Sequence, residues 1–191
     1  MIEIKNQFIC RIEVGPYKDF ILTEDLISLS YMESAGLAIP FFSMSFILRN
    51  LDVLKYLNEG NVINVSMGVT TPELSAMQIR LISDISEIDY TLGSVVSIKG
   101  VLHLPKFIQL AKTNVFEGSS IEVMQKILSS HFGVVSNVDK TNDRQIWYQT
   151  GITDRQMIRD LWFHSYINNN TFMAVGFDNN NFRIKDIRKS L

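Results

Sequence analysis

Three acidic residues stand close together near the end of a predicted strand: Asp84, Glu87 and Asp89. Two carboxyl groups that converge on a cleft can hydrolyse a glycosidic bond, one as acid and the other as base or nucleophile. Strand alternation puts Glu87 and Asp89 on one face, near the strand end. The same spacing is typical of a solvated hairpin tip, and we predict that role for the three residues.

Histidine and cysteine provide no better candidate for chemistry. No two of His103, His131 and His164 have the i, i+4 spacing of a helical metal site. Cys10 is the single cysteine and lies in an apolar run, so we predict a core residue and no disulfide. Phosphate-loop, dinucleotide-binding and nucleophile-elbow motifs are absent from the sequence. We therefore predict no enzyme, with no catalytic, cofactor-binding or metal-binding residues.

The C-terminal third is rich in aromatic side chains, which can serve as a sugar-stacking platform or as a hydrophobic core. Their spacing along one predicted strand and one predicted helix favours the core of a small domain. The residues concerned are Trp147, Tyr148, Trp162, Phe163 and Tyr166.

Composition limits the class of protein. With 46% hydrophobic residues in 191, the chain can bury a substantial core, and its net charge of −2 with no basic stripe argues against nucleic-acid binding. Neither a signal peptide nor a stretch of about 18 apolar residues is found, which predicts cytoplasmic synthesis and no membrane span.

Charge is divided unevenly along the chain. Residues 1–105 carry 7 Lys and Arg against 12 Asp and Glu, whereas residues 106–191 carry 11 against 8. The two halves either attract one another between subunits or form two solvated surfaces of different charge.

The first 105 residues predict antiparallel β-structure with one short helix. The strongest alternation is at 39–48, where Phe42, Met44, Phe46 and Leu48 share one face. In the strand at 26–32 the odd residues Ile27, Leu29 and Tyr31 are predicted to face the core. The other predicted elements are strands at 7–14 and 61–69, a helix at 51–59, and two long antiparallel strands between Leu74 and Leu104.

The remaining residues predict helices and strands in alternation. Ser119 with Glu122, and Thr153 with Gln156, form two capping boxes, each of which begins a helix. A short strand at 145–149 lies between the helices, and a hairpin at 171–177 and 182–187 follows them. Residues 106–118 are predicted to connect the two parts, with either a helical turn or an extended arm at its start.

This order of elements resembles the hub proteins of contractile phage tails, a family that includes late control protein D and the hub part of type VI secretion spikes. The resemblance is carried by the capped helix at Ser119, the strand ending in Gln149-Thr150-Gly151, and the second helix beginning at Thr153-Asp154. The motif-like part spans residues 118–187.

The resemblance implies an α+β fold that is mainly β. Residues 1–105 would form a tail-tube-like antiparallel β-barrel flanked by the helix at 51–59. Residues 106–118 would be a linker, and residues 119–191 a small α+β domain made of a helix, a strand, a helix and a hairpin.

The function implied is that of a structural component of the phage tail baseplate hub, located in the virion and made in the host cytoplasm. Such a subunit would form a homotrimer, join the tail tube to the central spike and other baseplate proteins, and line a channel through which DNA passes only as cargo. Hub proteins usually continue into a second barrel, so a shortened hub, a second barrel on another chain and a related adaptor all stay open. The alternatives are a tail-associated cell-wall carbohydrate-binding or hydrolase module, and a cytosolic α+β domain with an unrelated binding role.

Overall fold

The computed structural model describes residues 9–21, 24–68, 75–83, 88–89, 94–168, 172–178 and 181–190. Its fold is α+β and mainly β, as predicted. The chain divides into two compact units, the first formed by Met1–Met32 with Ile39–His103 and the second by Glu33–Ala38 with Leu104–Leu191. Across the described residues, no helix is long and apolar enough to cross a membrane.

The first unit is built on one antiparallel sheet. Its strands are β1 (Ile9–Val14), β2 (Tyr17–Ile21), β3 (Leu26–Met32), β4 (Phe41–Ile47), β5 (Val62–Gly68), β6 (Ser75–Leu81), β7 (Ile88–Asp89) and β8 (Val95–Leu102). They follow the order β2-β1-β5-β6-β8-β4-β3, with β7 beside β8. The sheet curls into a half-barrel, and the pairings among described residues do not join β2 to β3.

Alternation along the central strands determines the core of this unit. Phe42, Met44 and Phe46 of β4 are buried, which confirms the strongest period-two pattern in the sequence. On β6 the alternating residues Met77, Ile79 and Leu81 are buried as well, and β6 pairs with β8 in the predicted antiparallel sense.

The alternation predicted for β3 is wrong at its first residues. Leu26 pairs with Phe46, but Ser28 pairs with Ser45, so Ile27 is an extra residue without a cross-strand partner. Such a bulge shifts the alternation of side chains by one position. Ile27 is consequently exposed, while Leu29 and Tyr31 are half-buried.

The predicted helix at 51–59 is a shorter 3-10 helix, Leu51–Tyr56, capped by Asn50, whose Oδ1 accepts from the Asp52 N–H at 3.0 Å. A 3-10 helix repeats every three residues, and the sequence spaces Leu51, Leu54 and Leu57 at that interval. Only Leu57 of these three is fully buried, together with Val53.

The second unit begins with residues that were predicted to be a connection. Its elements are α1 (Pro105–Ile108), β9 (Ala111–Gly118), α2 (Ser120–Leu128), β10 (Gly133–Ser136), β11 (Gln145–Thr153), α3 (Asp154–His164), β12 (Met173–Asp178), β13 (Asn181–Asp186) and a 3-10 helix (Ile187–Ser190). One sheet has the order β10-β13-β12, in which β10 runs parallel to β13, and a second sheet pairs β9 with β11. The segment 106–118 therefore differs from the predicted linker, since it contains most of α1 and all of β9.

Local signals predicted the starts of α2 and α3 and the hairpin of this unit. Both capping boxes are present at Ser119 and Thr153, so the predicted starts of α2 and α3 are confirmed. The predicted hairpin is confirmed too, because β12 and β13 pair antiparallel, with Val175 opposite Ile184. Residues 179–180 of its turn lie outside the described residues.

A strap formed by Glu33–Ala38 also belongs to the second unit, although it comes from the connection between β3 and β4. Ala35 bridges to Gly176, and the Gly36 N–H donates to the Val175 carbonyl at 2.7 Å. Arg155 Nε donates to the Leu37 carbonyl at 3.0 Å, and Leu37 is buried. These contacts join the strap to the edge of β12 through one isolated bridge.

Gly100 of β8 marks a close approach between strands that an alanine should disrupt. A Cβ at Gly100 would lie 2.4 Å from Ile79 Cγ2 and 2.8 Å from the Arg80 carbonyl oxygen. We expect Gly100→Ala to lower the free energy of unfolding by about 1–3 kcal/mol, because the strands must move apart. Urea unfolding followed by circular dichroism measures this.

The control for Gly100 is the exposed neighbour Lys99 on the same strand. Lys99→Ala should change the free energy of unfolding by less than about 0.5 kcal/mol. Equal stability of the two variants would mean that the strands accommodate a methyl group at Gly100 without cost.

Candidate assembly surface

The residues with potential chemistry are spread over separate elements. His103 follows β8, His131 follows α2 and His164 ends α3. No group of three or more His, Cys, Asp or Glu residues in the described ranges could hold a metal ion. Asp84 and Glu87 lie outside the described residues, and Asp89 belongs to β7.

Cys10 is buried in the first unit, as predicted for a core residue, and its Sγ lies 3.7 Å from Met44 Sδ. Burial raises the pKa of the Cys10 thiol to about 11. The thiol is therefore protonated at neutral pH, whereas a nucleophilic cysteine reacts as the thiolate.

The prediction that five aromatic residues form a core is wrong for three of them. Tyr148, Phe163 and Tyr166 are exposed, and Phe163 stacks on Trp162 with ring centroids 5.1 Å apart. Trp147 and Trp162 are half-buried, and each indole N–H donates to a backbone carbonyl, that of Gly118 at 2.9 Å and that of Met173 at 2.7 Å. Both indole N–H groups are therefore engaged within the second unit, and each bond fixes the orientation of its ring.

The aromatic core of the second unit consists of phenylalanines instead. Phe107, Phe132, Phe177 and Phe182 meet mostly edge to face, with centroids 5.2 Å apart for Phe107 and Phe132 and for Phe177 and Phe182. Phe107 comes from α1, where a connection was predicted, so only tertiary packing shows that it belongs to this core.

The β9–β11 pair carries an exposed face that the sequence patterns did not indicate. We call this surface the ribbon face. Tyr148 pairs with Val115, Ile146 pairs with Glu117, and Thr150 pairs with Thr113. All of these side chains are exposed, including 65% of Val115, 53% of Ile146 and 64% of Tyr148. The ribbon face is formed by Thr113, Val115, Glu117, Ile146, Tyr148 and Thr150.

The opposite face of the same strands is directed into the unit. Gln149 and Gly118 are buried there, and Trp147 is half-buried. Helix α2 contacts β9, and α3 contacts β11. The two strands thus have one packed face and one open face.

A buried carboxylate ties the ribbon to the helices. Asp154, the first residue of α3, is almost fully buried and accepts hydrogen bonds at both oxygens. Lys112 Nζ of β9 lies 2.5 Å from its Oδ2, His131 Nε2 lies 2.7 Å from the same oxygen, and Gln149 Nε2 of β11 lies 2.9 Å from Oδ1. Asn114 Nδ2 donates in turn to Gln149 Oε1 at 2.9 Å.

The protonation of this network follows from its geometry. Burial by itself raises the pKa of the Asp154 carboxyl, but hydrogen bonds from Lys112, Gln149 and His131 outweigh burial and hold that pKa below its ordinary value. An ionised carboxylate only accepts hydrogen bonds, so His131 Nε2 carries the proton that it donates. The network joins β9, β11, the start of α3 and the residues after α2.

Asp143 holds the other end of the two helices. Its Oδ1 accepts from the Ser120 N–H of α2 at 3.0 Å, and its Oδ2 accepts from the Tyr166 N–H beyond α3 at 3.2 Å. Burial raises the pKa of Asp143, but hydrogen bonds from Ser120, Thr141 and Tyr166 outweigh it and lower that pKa. Two carboxylates therefore fix the helices behind the ribbon.

A cavity of about 120 Å³ lies in the first unit, lined mainly by core side chains such as Val14, Phe46 and Val53. Arg49 forms a two-pronged hydrogen bond with the buried carboxylate of Asp25 at its wall. Ligand pockets are usually several times larger. The open ribbon face is a better candidate for a functional surface than this cavity.

No protein-family model matches this chain, and no curated protein matches it. The mainly-β α+β fold does occur among solved structures. One of these is the prophage tail protein gp18 from Listeria monocytogenes EGD-e, with a TM-score of 0.51 and 12% sequence identity over 95% of this chain. The match covers 51% of the gp18 chain, so the present chain spans about half the length of that protein. At this level of identity the likeness shows a shared fold.

Proposed function

We propose that this chain is a structural protein of a phage tail. The observation that carries the proposal is the fold similarity to a prophage tail protein, which covers both units and 95% of the chain. The open ribbon face is consistent with a protein that functions by contact with others.

Within the tail, we place the chain at the baseplate hub, where it joins the tail tube to the central spike and contacts other baseplate proteins. The order of elements from the capped helix at Ser119 to the helix at Asp154 supports this finer assignment, since it resembles the order in hub proteins. The subunits would form a homotrimer around a channel in the virion, through which DNA passes without specific binding.

Contact between sheets would be the physical basis of this function. Strands β2 and β3 each pair with one neighbour among the described residues, so each has an edge that another chain can use. Backbone hydrogen bonds at such edges join subunits, and no covalent bond is made or broken. The proposal therefore assigns no enzymatic activity to the chain.

The mass of the protein in solution, together with its binding to a tail-tube protein, tests this proposal. Light scattering over a range of concentration should show a trimer or a multiple of a trimer, and the tail-tube protein of the same tail should co-sediment with it. A protein that stays monomeric at every concentration and does not bind either the tube or the spike protein would contradict the proposal.

A further inference from the structure

The cavity of the first unit lies where distant strands of the curled sheet face one another. In the strand order, β5, β6 and β8 separate β1 from β4. Ile12 and Val14 of β1 nevertheless line the same cavity as Phe46 of β4. The 3-10 helix and the residue that follows it add Val53 and Leu57 to the wall. These five side chains are apolar and buried, so they form a hydrophobic wall.

The size of the cavity limits what it can hold. Its volume is about 120 Å³. An engineered apolar cavity of about 150 Å³ in another protein binds benzene and xenon. A space of this size holds one aromatic ring or a chain of about five or six carbon atoms. The cavity is therefore suited to a much smaller ligand than an ordinary binding pocket takes.

Asp25 adds a carboxylate to the apolar wall. The residue lines the cavity and is only 6% exposed. Its Oδ1 accepts from Arg49 Nη2 at 2.7 Å and from Arg49 Nε at 3.1 Å. Among the described residues, Oδ2 accepts only from the same Nε, at 3.0 Å. Since one N–H is shared between the two oxygens, Oδ2 receives part of a single hydrogen bond.

The second oxygen of Asp25 can thus accept a further hydrogen bond. A carboxylate oxygen has two acceptor positions, and a buried oxygen that lacks donors raises the free energy of the folded state. A ligand that enters the cavity with an O–H or N–H group can supply the donor. The apolar wall and the carboxylate together define a ligand with an apolar body and one polar end.

The charge at this wall favours a neutral polar end. A ligand carboxylate would meet the carboxylate of Asp25 and could not donate to it. A ligand ammonium would be a second cation beside a carboxylate that Arg49 already neutralises, and its charge would be desolvated without a counter-ion. A hydroxyl group can donate to Asp25 Oδ2 and brings no charge into the cavity.

We infer that the first unit binds a small apolar molecule with one hydroxyl group, whose ring or short chain fills the cavity and whose O–H donates to Asp25 Oδ2. Small phenols and short-chain alcohols have this chemistry. Arg49 acts as a positioning residue, because its guanidinium holds the carboxylate at the cavity wall. The site lies within the first unit and is independent of the structural role proposed above.

Four one-ring probes test the chemistry of the ligand on the wild-type protein. Phenol is the expected ligand, and fluorobenzene has nearly the same size but no donor. Benzoate and benzylamine carry a negative and a positive charge at neutral pH. Titration of the ¹⁵N-labelled protein with each probe, followed by amide chemical shifts, gives both the dissociation constant and the location of binding.

We expect phenol to bind with saturable shifts at Phe46, Arg49 and Val53, and to bind about tenfold more tightly than fluorobenzene. Benzoate and benzylamine should bind at least tenfold more weakly than phenol. Shifts that do not saturate, or that lie away from the cavity, would overturn the inference. Fluorobenzene binding as tightly as phenol would overturn the role of the hydroxyl group, and a charged probe that binds best would overturn the neutral ligand.

Asp25→Asn tests the acceptor. Arg49 should retain the amide oxygen, so that the amide NH₂ group takes the place of Oδ2 and the charge-assisted hydrogen bond is lost. We expect the affinity for phenol to fall about fivefold or more, and the affinity for fluorobenzene to stay within about twofold. The control is Asp52→Asn, at an exposed carboxylate of the 3-10 helix. Equal loss of both probes in Asp25→Asn would contradict a hydrogen bond to the ligand.

Val53→Met tests the location of the apolar body. The longer and flexible methionine side chain should occupy part of the cavity. We expect phenol and fluorobenzene both to bind about tenfold more weakly, whereas Val62→Met, at an exposed valine of β5, should leave both affinities within about twofold of the wild type. Circular dichroism first establishes that each variant is folded. Unchanged binding in a folded Val53→Met protein would mean that the probes bind elsewhere.

Discussion

Replacing Phe107 with alanine should lower the free energy of unfolding of the second unit by about 3–5 kcal/mol. The ring is fully buried and meets Phe132, Phe177 and His131 edge to face, with the His131 centroid 5.3 Å away. Removing it leaves a cavity that the surrounding aromatic rings cannot fill. Both tryptophans of the chain lie in the second unit, so urea unfolding followed by tryptophan fluorescence reports on this unit directly.

Leu110 provides the matched control, because it is an exposed apolar residue three positions along the same segment. Leu110→Ala should change the free energy of unfolding by less than about 0.5 kcal/mol. If Phe107→Ala changed the free energy of unfolding as little as Leu110→Ala, the segment 106–118 would behave as the linker predicted from the sequence. The assignment of Phe107 to the core of the second unit would then be wrong.

Asp154→Ala should lower the free energy of unfolding of the same unit by about 2–4 kcal/mol. The substitution leaves the Lys112 ammonium, the His131 ring N–H and the Gln149 amide without their shared acceptor. Removing one partner of a buried ion pair costs more than the pair itself contributes, since the remaining charge is left desolvated. Lys112 is half-buried and can partly recover hydration, which limits the loss.

Asp160→Ala on the same helix is the control for the carboxylate. Asp160 is half-exposed and lies 3.6 Å from Arg159, a surface pair that contributes little. We expect a change of less than about 0.5 kcal/mol. A similarly small effect of Asp154→Ala would mean that the network does not hold the ribbon to the helices.

The pH dependence of stability provides an independent measurement of the same group. Because the pKa of Asp154 is lower in the folded state than in the unfolded chain, its contribution is fully present above the ordinary Asp pKa of about 4. It is lost as the pH falls from there through the lowered pKa. The stability difference between the wild type and Asp154→Ala should therefore shrink over this acidic range. A difference that is constant from neutral to acidic pH would contradict the assignment of an ionised carboxylate.

The starts of α2 and α3 were predictable from the sequence, because a capping box is local chemistry. The residues that satisfy the first N–H groups of each helix are three positions apart, at Ser119 and Glu122 and at Thr153 and Gln156. Strand β4 was predictable for a similar reason, since alternation at Phe42, Met44 and Phe46 is visible within a few residues. These patterns determined the fold class and the starts of the helices.

Only the tertiary structure shows that β9 and β11 form a ribbon with an open face. Strand β9 has no apolar face along its own sequence, because its outward residues stay exposed and its inward residues include Lys112 and Asn114. Its existence depends on pairing with β11, in which Val115 meets Tyr148 from a distant part of the chain. The bulge at Ile27 likewise depends on the register between β3 and β4.

The carboxylate network around Asp154 shows most clearly that local sequence patterns do not predict contacts between distant residues. Lys112 is separated from Asp154 by 42 positions and His131 by 23, so no local pattern connects these residues. The sequence around each of these residues is typical of a surface position or of the start of a helix. Folding brings them within hydrogen-bonding distance, and the same folding turns Tyr148 outward and Phe107 inward. Local sequence patterns thus determined the class of fold, strand β4 and the starts of α2 and α3. Strand β9, the core of the second unit and its open face depend on packing between residues far apart in the chain.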